Sequence, residues 1–218
     1  MSTTTGHVAE SLFGRIRREL LSILLLNPGR SFFLLELVAL LRTGRGGVQR
    51  ELANLTECGI AAMERLGSRT YYAAAPDAPL LAVLTAFLRA STDPHRILEA
   101  FADEVPGTIS FAVASPASTD SGGRPVLELL LSGRTDAGEL KAGIERIELL
   151  SGSTIRWTLV APEDLQGHLS DPRRSPWLTP EGGILLKGEW PVRAEGVSAP
   201  AEECLPDLFS SMGLDWER

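Results

Sequence analysis

Residues 45–59 read "RGGVQRELANLTECG". Val48, Leu52 and Leu55 recur at i, i+4 and i+7, which predicts a helix with one apolar stripe. Cys58-Gly59 ends it, with glycine in the usual C-terminal position. The opposite face carries Gln49, Arg50 and Asn54. A surface helix needs polar residues there in any case. Gln, Arg and Asn are also the side chains that read base edges. What flanks the helix decides between the two uses.

Upstream, Leu12, Phe13, Ile16, Leu20, Ile23 and Leu24 predict one helix over 10–26. "NPGR" at 27–30 stops it. Ser31 is placed to cap a second helix, "FFLLELVALL" at 32–41. "RTGRG" at 42–46 is a short turn into the opening helix. Downstream, "IAAMERL" and "TYYAAA" flank "GSR" at 67–69, which predicts a hairpin.

Helix, helix, turn, helix, hairpin is the order of a winged helix-turn-helix, whose second motif helix enters the major groove. The residues such a use needs are present. Arg42 and Arg45 lie in the turn, where phosphates would pass. Gln49, Arg50 and Asn54 face outward. Arg65 and Arg69 lie on the wing, and Tyr71 and Tyr72 begin its return strand. Gly46 and Gly47 leave backbone N–H groups bare at the helix N-terminus, where a phosphate binds well. Solvated charge on a small α+β unit is the plainer reading of any single arginine here. The ordered set favours double-stranded DNA as the partner of the whole unit.

The stretch 11–81 resembles the winged-helix domain of ArsR-like prokaryotic regulators. It is most similar to a branch with a pattern like "VQREL…L…G(I/L)…R.G(N/S)R.YY.A…PL". Here that is Val48–Leu52, Leu55, Gly59, Ile60, Arg65, Gly67, Ser68, Arg69, Tyr71, Tyr72, Ala74, Pro79 and Leu80. The resemblance implies duplex binding by a homodimer and transcriptional control. Metal-sensing members carry paired Cys or Cys/His ligands. Cys58 stands alone in this half, and no histidine lies between His7 and His95. A closed site needs about four ligands, so no metal and no cofactor is expected.

Charge divides the chain. Residues 1–79 hold nine Arg and seven acidic residues, +2, within a total of −7, which leaves −9 for residues 80–218. The apolar runs are too short to cross a bilayer, and the N-terminus does not read as a signal peptide. Two distant cysteines argue against a disulfide framework. A cytoplasmic protein without a membrane partner is expected.

Four segments are anticipated: a winged-helix DNA-binding domain over 1–78, linker or dimerisation helices over 79–105, an α/β domain over 106–190 and an acidic tail over 191–218. Pro79 suits a first helical position. Leu80, Leu84, Phe87 and Leu88 then form an apolar stripe. It serves either a dimer interface or packing on its own domain. A second short helix follows Asp93, with Pro94 in its first turn and His95 read as a surface residue.

In the back half, strands are predicted at 108–115, 126–133, 153–162 and 182–190. Helices are predicted at 136–152 and 162–169. The alternation indicates an α/β layer. In the regulator branch named above, the winged helix is often followed by a nucleotidyltransferase-like domain, and this half resembles one in outline. That family pattern is Gly-Ser after the first strand and Asp-x-Asp on the second, the two carboxylates holding Mg²⁺. Here the pair is Ala114-Ser115, followed by Pro116, and the Asp-x-Asp register falls on Val126 and Glu128. Asp120, in "STDSGG", is an acid able to substitute, but that stretch reads more readily as a flexible turn, as Glu128 does as an exposed strand residue and Ser115 as a turn residue. No acid lies on "TIRWTLV". The resemblance therefore implies a degenerate domain with no catalytic residues, used for assembly or for sensing a small-molecule or protein effector. Arg173 and Arg174 sit in a Pro- and Gly-rich loop. "LPDLFSSMGL" in the tail is able to form a short helix.

Three readings follow: a dimeric DNA-binding regulator, an active nucleotidyltransferase carrying a DNA-binding module of toxin–antitoxin type, and a protein-interaction adaptor. The Val126/Glu128 pair argues against the second. The arginines of the turn and wing argue against the third.

Overall fold

Described by the computed structural model are residues 9, 11–78, 80–105, 107–170 and 176–191. Pro79, Arg173, Arg174, Cys204 and all of the tail after Pro191 lie outside them. Among the described residues, mixed α and β elements build two sheets. No described helix is long and apolar enough to cross a membrane.

The front half runs α1 (Arg15–Leu25), β1 (Phe32–Phe33), α2 (Leu34–Leu41), α3 (Arg45–Glu57), β2 (Ala61–Leu66), β3 (Arg69–Ala74) and α4 (Leu81–Ser91). Its sheet is antiparallel in the order β1-β3-β2. Leu66 pairs with Arg69 at the hairpin end, and Phe32 pairs with Tyr72 on the other side of β3. The back half runs α5 (Pro94–Glu104), β4 (Thr108–Ala114), β5 (Ser118–Thr119), β6 (Pro125–Arg134), α6 (Ala137–Ser151), β7 (Thr154–Val160), α7 (Leu165–Leu169) and β8 (Ile184–Lys187). β4 lies antiparallel between β6 and β8, while β7 runs parallel to β6. The parallel pair needs a crossover, and α6 supplies it.

Several expectations change. Helix α1 starts at Arg15, because Gly14 is extended at φ −59° and ψ 149°. Ser31 does not cap α2. Residues 32–33 form a strand first, and Glu36 Oε2 accepts the Phe33 N–H at 3.3 Å. The turn "STDSGG" is a hydrogen-bonded hairpin end. Asp120 Oδ1 accepts from the N–H groups of Gly122 and Arg124 at 2.9 and 2.8 Å. The stripe on α4 is largely internal. Leu84, Phe87 and Leu88 pack in the front core, with Phe87 edge-on to Phe13 at 6.0 Å. Leu80 stays 58% exposed and Val83 65%.

The two halves of the chain share structure. The front core is built on α1, α2 and α3, yet it also contains Leu149 and Leu150 of α6. The back core takes Leu140, Ile144 and Ile147 from the same helix, and Leu98 and Ala102 from α5. Asn27, buried to 6% exposure, closes the junction. Its Nδ2 donates to the carbonyls of Ile23 at 2.9 Å and Leu149 at 2.8 Å. Both belong to last turns of helices, where carbonyls have no partner within the helix. Arg124 donates to Ser153 O at 2.8 Å beside it. Gly152 ends α6 at φ +65°, where a Cβ would stand 2.6 Å from Leu26 Cβ.

Substituting Asn27 by leucine should strand both carbonyls and cost roughly 1–3 kcal/mol for each buried group left unpaired. Asn27→Asp should be at least as damaging, since an ionised carboxylate cannot donate. Urea unfolding of the full chain, followed by far-UV circular dichroism, measures both.

Candidate functional site

Two sets of residues were singled out by sequence, and they lie on different halves. On α3, Val48, Leu52 and Leu55 are buried, as the periodicity requires. Arg45, Gly46, Gln49, Arg50, Ala53 and Asn54 are exposed. The side chains of Arg45, Gln49, Arg50 and Asn54 make no hydrogen bond or ion pair with any described residue. Gly46 has open space where a Cβ would be, whereas a Cβ on Gly47 would come within 3.0 Å of Ile16. Gly47 thus faces the tip of the Ile16 side chain of α1, and Gly46 faces open space.

The hairpin stands next to α3. Arg65 is exposed and makes no contact with a described polar group. Arg69 stacks over the Phe33 ring at 5.5 Å, and Tyr71 lies 6.0 Å from the same ring. These two therefore brace the hairpin against β1. Arg42 departs furthest from the expected set. It takes a left-handed conformation, φ 47° and ψ 47°, and its guanidinium lies 3.6 Å from Glu104 of α5. It turns toward the back half and away from the exposed face of α3.

The second set sits where β4 and β6 end side by side. Ala114 is fully buried, and Ser115 is 7% exposed. Ser115 is more than a turn residue. Its N–H donates to Glu128 O at 2.8 Å, and its Oγ accepts the Glu128 N–H at 2.9 Å. Val126 and Glu128 share a face of β6 with Leu130, by the two-residue period of a strand. That face packs toward α7, Trp177, Leu178 and Trp190. The Trp177 indole N–H donates to Glu128 Oε2 at 2.6 Å. Glu128 is thus half-buried and engaged, where an exposed strand residue was one expectation. Asp120 has one oxygen committed to its own turn.

His95 was read as a surface residue and is instead 16% exposed in its side chain. Its Nε2 lies 2.8 Å from Ser115 O, so Nε2–H is the donor, and Nδ1 is 3.4 Å from Asp93 Oδ1. It ties α5 to the end of β4. Sequence gives no sign of this contact, because the partner is a backbone carbonyl twenty residues away. Among the described residues, no group of three or more His, Cys, Asp and Glu is placed to hold a metal ion. Cys58 is a free, exposed thiol.

No family model, no curated protein and no solved structure matches the chain.

The Glu128–Trp177 bond is charge-assisted, and such bonds contribute about 1.5–3 kcal/mol. Trp177→Phe should lower stability by about that amount. Glu128→Gln, which keeps an acceptor oxygen, should cost less. Urea midpoints of the two variants decide the order.

Proposed function

We propose that the chain is a DNA-binding transcriptional regulator. In this reading the front half is a winged helix-turn-helix of ArsR-like type. The back half is a nucleotidyltransferase-like domain that transfers no nucleotide and serves assembly or sensing. The supporting observation is the solvent face of α3. Four polar side chains able to contact DNA stand there without a hydrogen-bond or ion-pair partner among the described residues, beside a hairpin that carries exposed Arg65. The order helix, strand, helix, helix, hairpin, with strands β1-β3-β2, supports this reading, in which α3 would enter a major groove. Arg45, Gln49, Arg50, Asn54 and Arg65 are the residues assigned to the duplex. Arg42, Arg69 and Tyr71 hold the frame.

The reading of the back half rests on chemistry. Transfer by two metals needs carboxylates converging on ions about 3.5–4 Å apart. Val126 cannot ligate, and the oxygen of Glu128 that meets Trp177 is already a hydrogen-bond acceptor. Function belongs to the site and not to the fold that carries it.

Three tests follow. Duplex binding should fall with salt, and removing a phosphate-contacting arginine should reduce the slope by about one. If Gln49 or Arg50 reads a base, its alanine variant should cost roughly 1–3 kcal/mol at one base-pair position. Absence of salt-dependent duplex binding at low ionic strength would sink the proposal. Incubation with Mg²⁺ and labelled nucleoside triphosphates should give no transfer. Transfer abolished by Glu128→Gln would reverse that part. A homodimer is part of the same reading, with Leu12, Leu80 and Val83 as its apolar contacts. These stay exposed on segments that Phe13 and Phe87 hold side by side. The double variant Leu80→Asp, Val83→Asp should sediment as a monomer with an unchanged circular dichroism spectrum. An unchanged dimer would exclude this interface.

A further inference from the structure

A cleft of about 940 Å³ opens between the front helices and the back half. Arg42 lines it, as does His95, whose ring reaches Ser115 O, whereas the exposed face of α3 and Glu128 do not. Its volume is that of a small-molecule site. Its lining holds five arginines and three carboxylates, an excess of positive charge in a chain of net −7. Each carboxylate has one partner: Glu19 Oε1 lies 3.4 Å from Arg15, Glu104 lies 3.6 Å from Arg42, and Asp93 accepts the His95 N–H at 3.0 Å. Glu19 Oε2 is buried and has no hydrogen-bond partner among the described residues.

Arg146 of α6 is the unusual member. Its Nε donates to Leu40 O at 2.5 Å. Among the described residues its guanidinium has no carboxylate within ion-pair distance. Burial pushes its pKa down, the neighbouring charge of Arg42 adds to that, and the carboxylates of Glu19 and Glu104 offset part of it. A half-buried guanidinium whose charge is only partly offset gains from an added anion. Arg42 closes α2 in the left-handed conformation common at helix C-termini, and its side chain lines the cleft beside Arg146 and Arg15. Leu88, Ile97 and Phe101 provide an apolar wall.

We propose that this cleft binds a small organic anion. Its carboxylate or phosphate group is held by the guanidiniums of Arg146, Arg42 and Arg15, and its apolar part rests on Leu88, Ile97 and Phe101. Guanidinium forks match both kinds of oxyanion bidentately, so the head-group chemistry is shared and the probes separate the two sources.

The test is isothermal calorimetry on the full chain without DNA. The probes are inorganic phosphate, benzoate and adenosine 5′-monophosphate, each raised to about 10 mM, which reaches millimolar dissociation constants. At least one probe should bind saturably. Its affinity should fall about tenfold or more in Arg146→Gln or in Arg15→Gln, a loss of about 1.4 kcal/mol. Arg15 is half-exposed, so its variant keeps the test open if Arg146→Gln does not fold. Arg156→Gln, an exposed change on β7 outside the cleft, should bind as the unaltered chain does. Saturable binding by no probe, binding undiminished in both folded cleft variants, or equal loss in Arg156→Gln would each overturn the proposal. Since no DNA is present, the outcome is separate from that of the duplex-binding tests.

Discussion

Helix α6 buries side chains in two cores at once, and the remaining architecture depends on that double duty. Leu140, Ile144 and Ile147 pack under the back sheet, while Leu149 and Leu150 pack among the front helices. A fully buried leucine contributes roughly 1.5–3 kcal/mol relative to an exposed one. Two at the junction therefore outweigh any single surface ion pair there, since exposed pairs contribute at most about 1 kcal/mol. The polar groups at the junction complete the arrangement. Asn27 and Arg146 each satisfy a carbonyl in the last turn of a helix, Leu149 of α6 and Leu40 of α2 respectively. Helix ends are where backbone acceptors lack partners. The two halves meet at such ends, and each supplies the donor that the other needs.

Much of this was legible in the sequence, and the reasons differ by element. Helix α3 was readable because Val48, Leu52 and Leu55 keep strict helical spacing, and a glycine ends the pattern. The strands β4 and β6 were readable as apolar runs bounded by turn residues, and β7 from the alternation of Ile155, Trp157 and Leu159. Strand β1 was not, because two residues are too few to show a period. Phe32-Phe33 also reads equally well as the start of an apolar helix. The stripe on α4 showed that one face is buried, but periodicity cannot say against what. Three of its four residues turned out to face their own core.

Side-chain roles across long separations were the least legible. Asn27 looked like part of a helix stop, and it is that. Its second bond, to Leu149, spans 122 residues and leaves no local trace. Trp177 and Glu128 are 49 residues apart and meet only because the segment after α7 returns over β6. Arg42 was assigned to the duplex from its place in a short basic turn. A left-handed backbone at that residue swings the side chain toward α5, and nothing in the composition of "RTGRG" specifies that conformation. Glycine at position 44, two residues later, would have been the more natural guess for it.

The shared helix has a consequence for how the molecule can be divided. A fragment ending after α4 would lose Leu149, Leu150 and Arg146, leaving a notch in its core and a bare carbonyl at Leu40. The front half is therefore no portable unit that can be grafted onto another protein unaltered. Loosening either half is felt in the other, and the chain should melt in one step.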